Sequence, residues 1–447
     1  MRDARWKLSI GGLRLANFFH LNLMKHLSFV FAASLFLGVS VGAAPKAKPR
    51  APQTPAKPRA TQSLPDPRLQ APSRELAGTI GRGTAFDDGG IMNEVRGGFV
   101  AGNSLFVAVE NGGDTDAFGS VFRVDVRTGD RELVSGAIDA SEKRGQGLSY
   151  TGDFGRGEAY NLNRIMAVRP LPNGHLLAIK GRDDANRTEL LDIDPATGNR
   201  SLWWASGYSS DTKLRDLEKL ATDQFLLAPD DPRRVTPSTF GFETDAAGNA
   251  YLIAENNPSG TGYGVVKVDG QTRRASWVTG YFENGQPIAG SGATQTSLTM
   301  ILGGTAQADG RIAYVFGPNP NGWSLNSTEL ATGARTLVSL QNEIAPARSK
   351  GRGNAPVGQS GLAWSNGAFW TTGGPSQGGR SYFQLVKVDP ATGTRSLVPI
   401  KSGPLTDLFG DRQALYAVPG SKTLLVGMRK AIIAVDPASG TSRLLSF

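Results

Sequence analysis

Asp389-Pro390-Ala391-Thr392-Gly393 stands between the apolar runs Leu385-Val386-Lys387-Val388 and Leu397-Val398, and this stretch decides the fold. An aspartate that opens such a segment caps it through nearby backbone amides. The proline presets φ, and the glycine supplies the left-handed residue that closes the turn. The unit recurs as Asp125-Val126-Arg127-Thr128-Gly129, Asp194-Pro195-Ala196-Thr197-Gly198 and Asp436-Pro437-Ala438-Ser439-Gly440. Degenerate copies are Asp269-Gly270-Gln271-Thr272-Arg273 and Glu329-Leu330-Ala331-Thr332-Gly333. The leading acids are 69, 75, 60, 60 and 47 residues apart, the spacing of a repeat architecture with insertions of variable length. Strand-like runs flank the copies, such as Val121-Phe122-Arg123-Val124 before the first and Arg131-Glu132-Leu133-Val134 after it, so each copy reads as a β-hairpin.

A second turn precedes each of these, centred on Gly102, Gly174, Gly248, Gly310, Gly367 and Gly420. Every repeat is therefore strand, turn, strand, loop, strand, turn, strand. Six such antiparallel units predict an all-β chain folded as a six-bladed β-propeller with four strands per blade. A β-sandwich also alternates strands and turns, but it would not repeat two turn registers six times. In this turn pattern, residues 91 to 447 resemble six-bladed propellers of the NHL-repeat and gluconolactonase (senescence marker protein) type. The motif is specific for the architecture, not for a function. Leu214, Leu217 and Leu220, with Lys213, Arg215 and Lys219, predict a short helix within Asp211 to Leu227, inserted between blades two and three.

The N-terminal sequence speaks of delivery. Lys25-His26, the uncharged run Leu27 to Val41 and small residues at Val41 and Ala43 form a secretory signal over residues 1–43, with Met24 as an alternative start. The apolar run is shorter than the roughly 20 residues that span a bilayer. Residues 44–75 are rich in Pro, Lys and Ala and lack bulky apolar groups, which predicts a disordered, semi-extended linker able to contact an anionic envelope surface. Residues 76–447 form the propeller. The formal charge of +9 resolves accordingly: residues 1–75 hold 12 basic and three acidic groups, and the remainder holds 36 of each. A basic nucleic-acid-binding domain is thereby excluded, and the expected location is periplasmic or secreted. The chain has no cysteine and three histidines, of which His20 and His26 fall in the leader. Disulfides, thiolate metal sites and a cysteine nucleophile are excluded. His175 follows the Asn173-Gly174 turn, on the wrong face for a catalytic triad.

Blade topology sorts the remaining polar residues. First-strand starts and the loops between second and third strands share one face, here called upper, while both turn families share the other. The upper face should gather Arg96, Arg164, Arg182, Glu255, Asn256, Asn257, Trp323 and Arg380, a set suited to a small polar ligand, a glycan or a protein. Trp323 follows Pro318-Asn319-Pro320-Asn321-Gly322 and reads equally as a stacking platform or a packing residue, whereas Trp203, Trp204, Trp277, Trp364 and Trp370 lie in strands and read as blade packing. Arg348, Lys350 and Arg352 read as a solvated basic connection between blades four and five.

The leading functional reading is an exported binding or scaffolding module, to which the sequence assigns no certain cofactor. The resemblance implies an alternative, a divalent-metal-dependent hydrolase of lactones or esters. Its metal, calcium or another divalent ion, would take Glu94, Asn163, Asn256 and Asp407 as oxygen ligands, with Asp407 or Glu255 as base. This chain departs from that family in the first blade, where Glu94-Val95-Arg96 replaces the usual Glu-Gly-Pro.

Cleavage after Ala43 predicts a mature chain that begins at Ala44. N-terminal sequencing of the protein recovered from periplasm or culture fluid checks this, and a membrane-bound chain that retains Leu27 to Val41 would replace the leader with an anchor.

Overall fold

A sheet covered on both faces by neighbouring sheets must be apolar on both, and the middle strands here satisfy that demand: Leu176–Lys180 and Leu424–Met428 are buried at every position. The computed structural model describes residues 81–83, 94–111, 118–137, 143–145, 165–180, 188–205, 236–256, 262–282, 287–292, 305–319, 322–340, 350–353, 361–373, 376–377, 380–381, 384–403, 414–428 and 431–446. The predicted leader, linker and inserted helix lie outside the described residues.

Six blades, each with four antiparallel principal strands, follow in chain order, and blades 1, 3 and 4 add a fifth edge strand, Lys143–Arg144, Pro287–Ala289 and Ser291–Gly292, the last of them paired in parallel. Blade 1 comprises Glu94–Ala101, Ser104–Asn111, Phe118–Asp125 and Arg131–Ala137, and blade 2 comprises Ile165–Pro170, Leu176–Lys180, Glu189–Ile193 and Arg200–Ala205. Blade 3 runs through Thr236–Thr244, Ala250–Asn256, Gly262–Val268 and Ala275–Phe282, and blade 4 through Thr305–Ala308, Arg311–Asn319, Gly322–Glu329 and Ala334–Leu340. Blade 5 holds Gly361–Ser365, Ala368–Gly373, Gln384–Val388 and Arg395–Val398, and blade 6 holds Ala414–Ala417, Leu424–Met428, Ala431–Asp436 and Thr441–Ser446. Strand order within each blade is sequential. The first strand of every blade packs against the first strands of both neighbours, blade 6 against blade 1 included, so the six sheets form a closed propeller. The core lies between blades. Each seam holds its own cluster; at the closing seam Val107, Phe122 and Val124 of blade 1 meet Leu425, Ile432 and Leu445 of blade 6.

Both turn families fall where the sequence places them. Gly102, Gly174, Gly248, Gly310, Gly367 and Gly420 all have positive φ, as do Gly129, Gly198, Gly333, Gly393 and Gly440. Arg273 takes the same left-handed conformation, at φ 58°, in the degenerate third copy. The two families share one end of the blade: the amide of Val126 donates to Asn103 O at 2.9 Å, and that of Leu330 to Gly310 O at 2.9 Å. In the Asp389 turn, Oδ1 accepts from the amides of Ala391 at 2.8 Å and Thr392 at 3.1 Å, and the Gly393 amide donates to Asp389 O at 2.8 Å. These bonds hold the turn aspartates below the usual carboxylate range, Asp269 at about 2, with the Thr272 amide the largest contributor there. The turns are therefore favoured by the ionised carboxylate, a contribution present above its unfolded pKa and lost only as pH falls through the lowered one.

The Asp-led turns also join the blades. Ser135 Oγ of blade 1 donates to Gly198 O of blade 2 at 2.7 Å and accepts from Arg200 Nη1 at 2.8 Å. Ser339 of blade 4 repeats this with Gly393 O at 2.8 Å and Arg395 Nη1 at 2.7 Å. Ser446 of blade 6 does so with Gly129 O at 2.7 Å and Arg131 Nη1 at 2.9 Å. At the seam of blades 3 and 4, Arg335 Nη1 donates to Thr279 Oγ1. The arginine stands two residues after the turn glycine in each case. One expectation changes here. The Lys350 to Arg352 segment is not merely a solvated connection, because Lys350 exchanges two backbone hydrogen bonds of 3.0 Å with Leu340 and Arg352 O accepts from the Arg395 amide at 2.7 Å. Among the described residues the ring is closed between blades 6 and 1 by Ser446 with Arg131, by the shared core, and by the Gly81 amide, which donates to Leu445 O at 3.4 Å.

The two glycine families differ in what they tolerate. A Cβ on Gly367 would meet nothing within 4 Å, whereas one on Gly393 would lie 2.2 Å from Val338 O of the neighbouring blade. Gly367→Ala should cost about 1–2 kcal/mol, the left-handed penalty alone. Gly393→Ala should cost roughly 2 kcal/mol more, because a backbone clash is added. Urea unfolding of both variants checks this; equal losses would sink the distinction.

Candidate functional site at the upper mouth

The upper end of each blade is the end away from both turns. In blade 1 the register sets Glu94 opposite Glu110, and Arg96 pairs with the Glu110 carboxylate, with both side chains partly buried. The Arg96 carbonyl accepts a hydrogen bond from the hydroxyl of Tyr416 in blade 6, and burial pushes the Tyr416 hydroxyl far above its ordinary pKa. In blade 2 the last residue of the second strand faces the first residue of the third: Lys180 Nζ lies 3.9 Å from Glu189 Oε2, with side chains 5% and 7% exposed. In blade 5, Thr372 Oγ1 accepts from the Gly361 amide at 2.9 Å.

A charged layer lies lower on the inner strands. Arg169 of blade 2 donates from Nε to Glu243 Oε2 of blade 3 at 2.9 Å and from Nη2 to Oε1 at 2.8 Å, and from Nη1 to Gly98 O of blade 1 at 2.9 Å. Thr305 of blade 4 donates to Glu243 Oε1 at 2.8 Å. A side chain of blade 2 that reaches blades 1 and 3 at once lies on the channel side of the inner strands. Both charges are buried, so the bidentate geometry and the added hydroxyl are what make the burial tolerable. Sequence reading missed this layer, yet the signal was present. Arg169, Glu243 and Thr305 each stand five residues before their turn glycines, Gly174, Gly248 and Gly310, so aligning the repeats isolates them.

The sequence-predicted site divides as follows. Glu94 and Arg96 begin the first strand of blade 1, Glu255 and Asn256 end the second strand of blade 3, and Trp323 lies at the start of the third strand of blade 4. Arg380 sits on a short ribbon, Ser376–Gln377 paired with Arg380–Ser381, inserted between the second and third strands of blade 5. All these backbone positions lie at the upper ends of their blades. Arg96 is the one of them whose side chain is described, and it is held by Glu110. The side chains of Glu94, Glu255, Asn256, Trp323 and Arg380, and the whole of Asn163, Arg164, Arg182, Asn257 and Asp407, lie outside the described residues. Among the described residues no group of three or more His, Cys, Asp or Glu side chains is arranged to hold a metal ion. His175 sits at the lower turn, with Nδ1 2.7 Å from Asp192 Oδ1. Trp203, Trp204 and Trp370 are buried in seams, as their strand positions predict.

No family model matches the chain, and no curated protein matches it. Solved structures do. An uncharacterized protein from Listeria monocytogenes EGD-e superposes with a TM-score of 0.39 at 9% identity, covering 82% of this chain and 97% of the other. The β-propeller domain of the Trilobed protease from Pyrococcus furiosus gives 0.38 at 9%, covering 80% and 99%. A puromycin-hydrolyzing peptidase from Mycobacterium tuberculosis gives 0.40 at 13%, with 79% of this chain matched to 53% of that one. These likenesses carry no activity across.

Glu243→Ala leaves the Arg169 guanidinium buried without its main partner and should cost about 3–5 kcal/mol in denaturant unfolding. Arg169→Met combined with Glu243→Leu should recover most of that loss. A single-variant cost below about 1 kcal/mol would mean that the layer is solvated and not a buried pair.

Proposed function

We propose that the chain is an exported propeller that binds a small polar ligand, a glycan or a protein through its upper face, in the periplasm or outside the cell. The observation that carries this reading is the asymmetry of the two faces. On the lower face the turn carboxylates of Asp125, Asp194, Asp269, Asp389 and Asp436 accept hydrogen bonds from their own turns. The upper face receives the polar strand ends at Arg96, Glu110, Lys180 and Glu189, and in blades 1, 2 and 5 it receives the connections 112–117, 181–188 and 374–383 between second and third strands. Arg164, Arg182, Asn257, Trp323 and Arg380 would complete a polar pocket there, with Trp323 offering a face for stacking. The turn pattern resembles that of NHL-repeat and gluconolactonase-type propellers, and the alternative reading, a divalent-metal-dependent hydrolase of lactones or esters, would use Glu94, Asn163, Asn256 and Asp407 on the same face.

Thermal shift against a panel of neutral and acidic oligosaccharides and sugar lactones tests the reading. At least one compound should raise the melting temperature, and Trp323→Ala with Arg380→Ala should abolish the shift while leaving the unliganded protein unchanged. If no compound stabilises the protein, or if His175→Ala on the lower face abolishes the shift equally, the upper-face assignment fails. Stoichiometric calcium in equilibrium dialysis, with lactone hydrolysis lost in Glu94→Gln, would replace the binding module with the hydrolase.

A further inference from the structure

Five of the six seams are crossed by the chain itself, and at several of them the crossing segment is bound to the next blade in one way. Ser291 and Gly292 pair in parallel with Ala334 and Arg335 of blade 4. Arg352 O accepts from the Arg395 amide at 2.7 Å, and Ser402 O accepts from the Ser442 amide at 2.9 Å. Each strap thus lies against the start of the next blade's fourth strand, beside the turn glycine. Glycines make the approach possible: a Cβ on Gly353 would lie 2.0 Å from Arg395 O, and one on Gly292 would lie 2.3 Å from Arg335 O.

The seam between blades 6 and 1 has the same strap, but from elsewhere in the sequence. Arg82 O accepts from the Arg131 amide at 2.7 Å, and the Gly81 amide donates to Leu445 O of blade 6 at 3.4 Å. The Arg82 amide donates to Asp130 Oδ1 at 2.7 Å, and Gly83 bridges in parallel to Arg131. A Cβ on Gly81 would lie 1.7 Å from Gly129 O, and one on Gly83, at φ +111°, would lie 2.0 Å from Arg131 O. These residues precede blade 1, so no peptide bond links this strap to the fourth strand of blade 6.

We infer that Gly81–Gly83 is a detachable latch on the one seam the chain does not cross, and that the groove it fills is a docking surface for a Gly-x-Gly segment supplied by the chain's own N-terminal arm. The latch lies beyond the expected cleavage point at Ala43 and stays with the mature chain. It is joined to blade 1 by only the ten residues 84–93, a tether that holds a docking segment at an effective concentration of order millimolar. The groove is therefore filled in cis, and a competing or substituting segment must be supplied at about that level.

The test uses the full chain and hydrogen exchange at single amides. Gly83→Val should speed exchange of the Arg131 amide at least tenfold, while the Arg395 and Ser442 amides, held by straps in chain continuity, change less than twofold. Asp130→Ala removes the acceptor for Arg82 and should act in the same direction without touching the strap, which keeps the test valid if Gly83→Val folds poorly. A synthetic peptide of residues 76–90 at millimolar concentration should restore Arg131 protection in the Gly83→Val protein, and the same peptide carrying Gly83→Val should not. Unchanged Arg131 exchange in both variants, equal acceleration at all three seams, or failure of the peptide to protect Arg131 overturns the inference.

Discussion

The ring depends on one repeated contact: a hydroxyl in the fourth strand of one blade donates to the turn-glycine carbonyl of the next and accepts from an arginine two residues beyond that glycine. Ser135, Ser339 and Ser446 make it in full. A hydrogen bond of this kind adds about 1 kcal/mol net, whereas each seam's apolar cluster contributes far more through area removed from water. The contact matters because it fixes register. Apolar faces slide at little cost, but a buried guanidinium that loses its partners does not. Burial lowers Arg200 to about 10, which still leaves it charged at neutral pH, so its donors must be satisfied wherever the blades come to rest.

Two seams solve the same problem differently, and both follow from a change in the turn. In the third copy the glycine is Arg273 and the later arginine is replaced by Ala275. Arg273 pays a left-handed backbone penalty, and its guanidinium lies 3.9 Å from the ring centroid of Trp203 in blade 2, so a cation–π contact spans the seam. In the sixth copy Ser442 stands at the arginine position, and its hydroxyl donates to Ser402 O at 3.0 Å on the crossing strap. The position is thus kept for seam bonding even where the arginine is lost.

The turns were legible because a left-handed residue and a capping acid are demands of local backbone geometry, visible within five residues. The strands were legible because sheets buried on both faces need continuous apolar runs. Arg131, Arg200, Arg335 and Arg395 were equally present at a fixed offset, but their partners lie in another blade, 315 residues away for Arg131 and Ser446. A single repeat cannot show such a contact. The same holds for Arg169, Glu243 and Thr305, which acquire meaning only when three blades are set side by side. The upper-face residues have no such register. Their loops differ in length and composition from blade to blade, so topology could assign a face to Arg380 or Trp323 but not a geometry.

Closure of the ring and the candidate site meet at Arg96. Its guanidinium holds Glu110 within blade 1, and its carbonyl takes the hydroxyl of Tyr416 from blade 6. Space around it is tight: a Cβ on Gly427 would lie 2.7 Å from Val95 and 2.9 Å from the Tyr416 hydroxyl. The backbone that positions Arg96 at the upper mouth is therefore braced by the seam that the chain itself does not cross. Separation of blades 6 and 1 would cost the Tyr416 bond and release the strand that carries Arg96, so the upper mouth keeps its shape only while the closing seam holds.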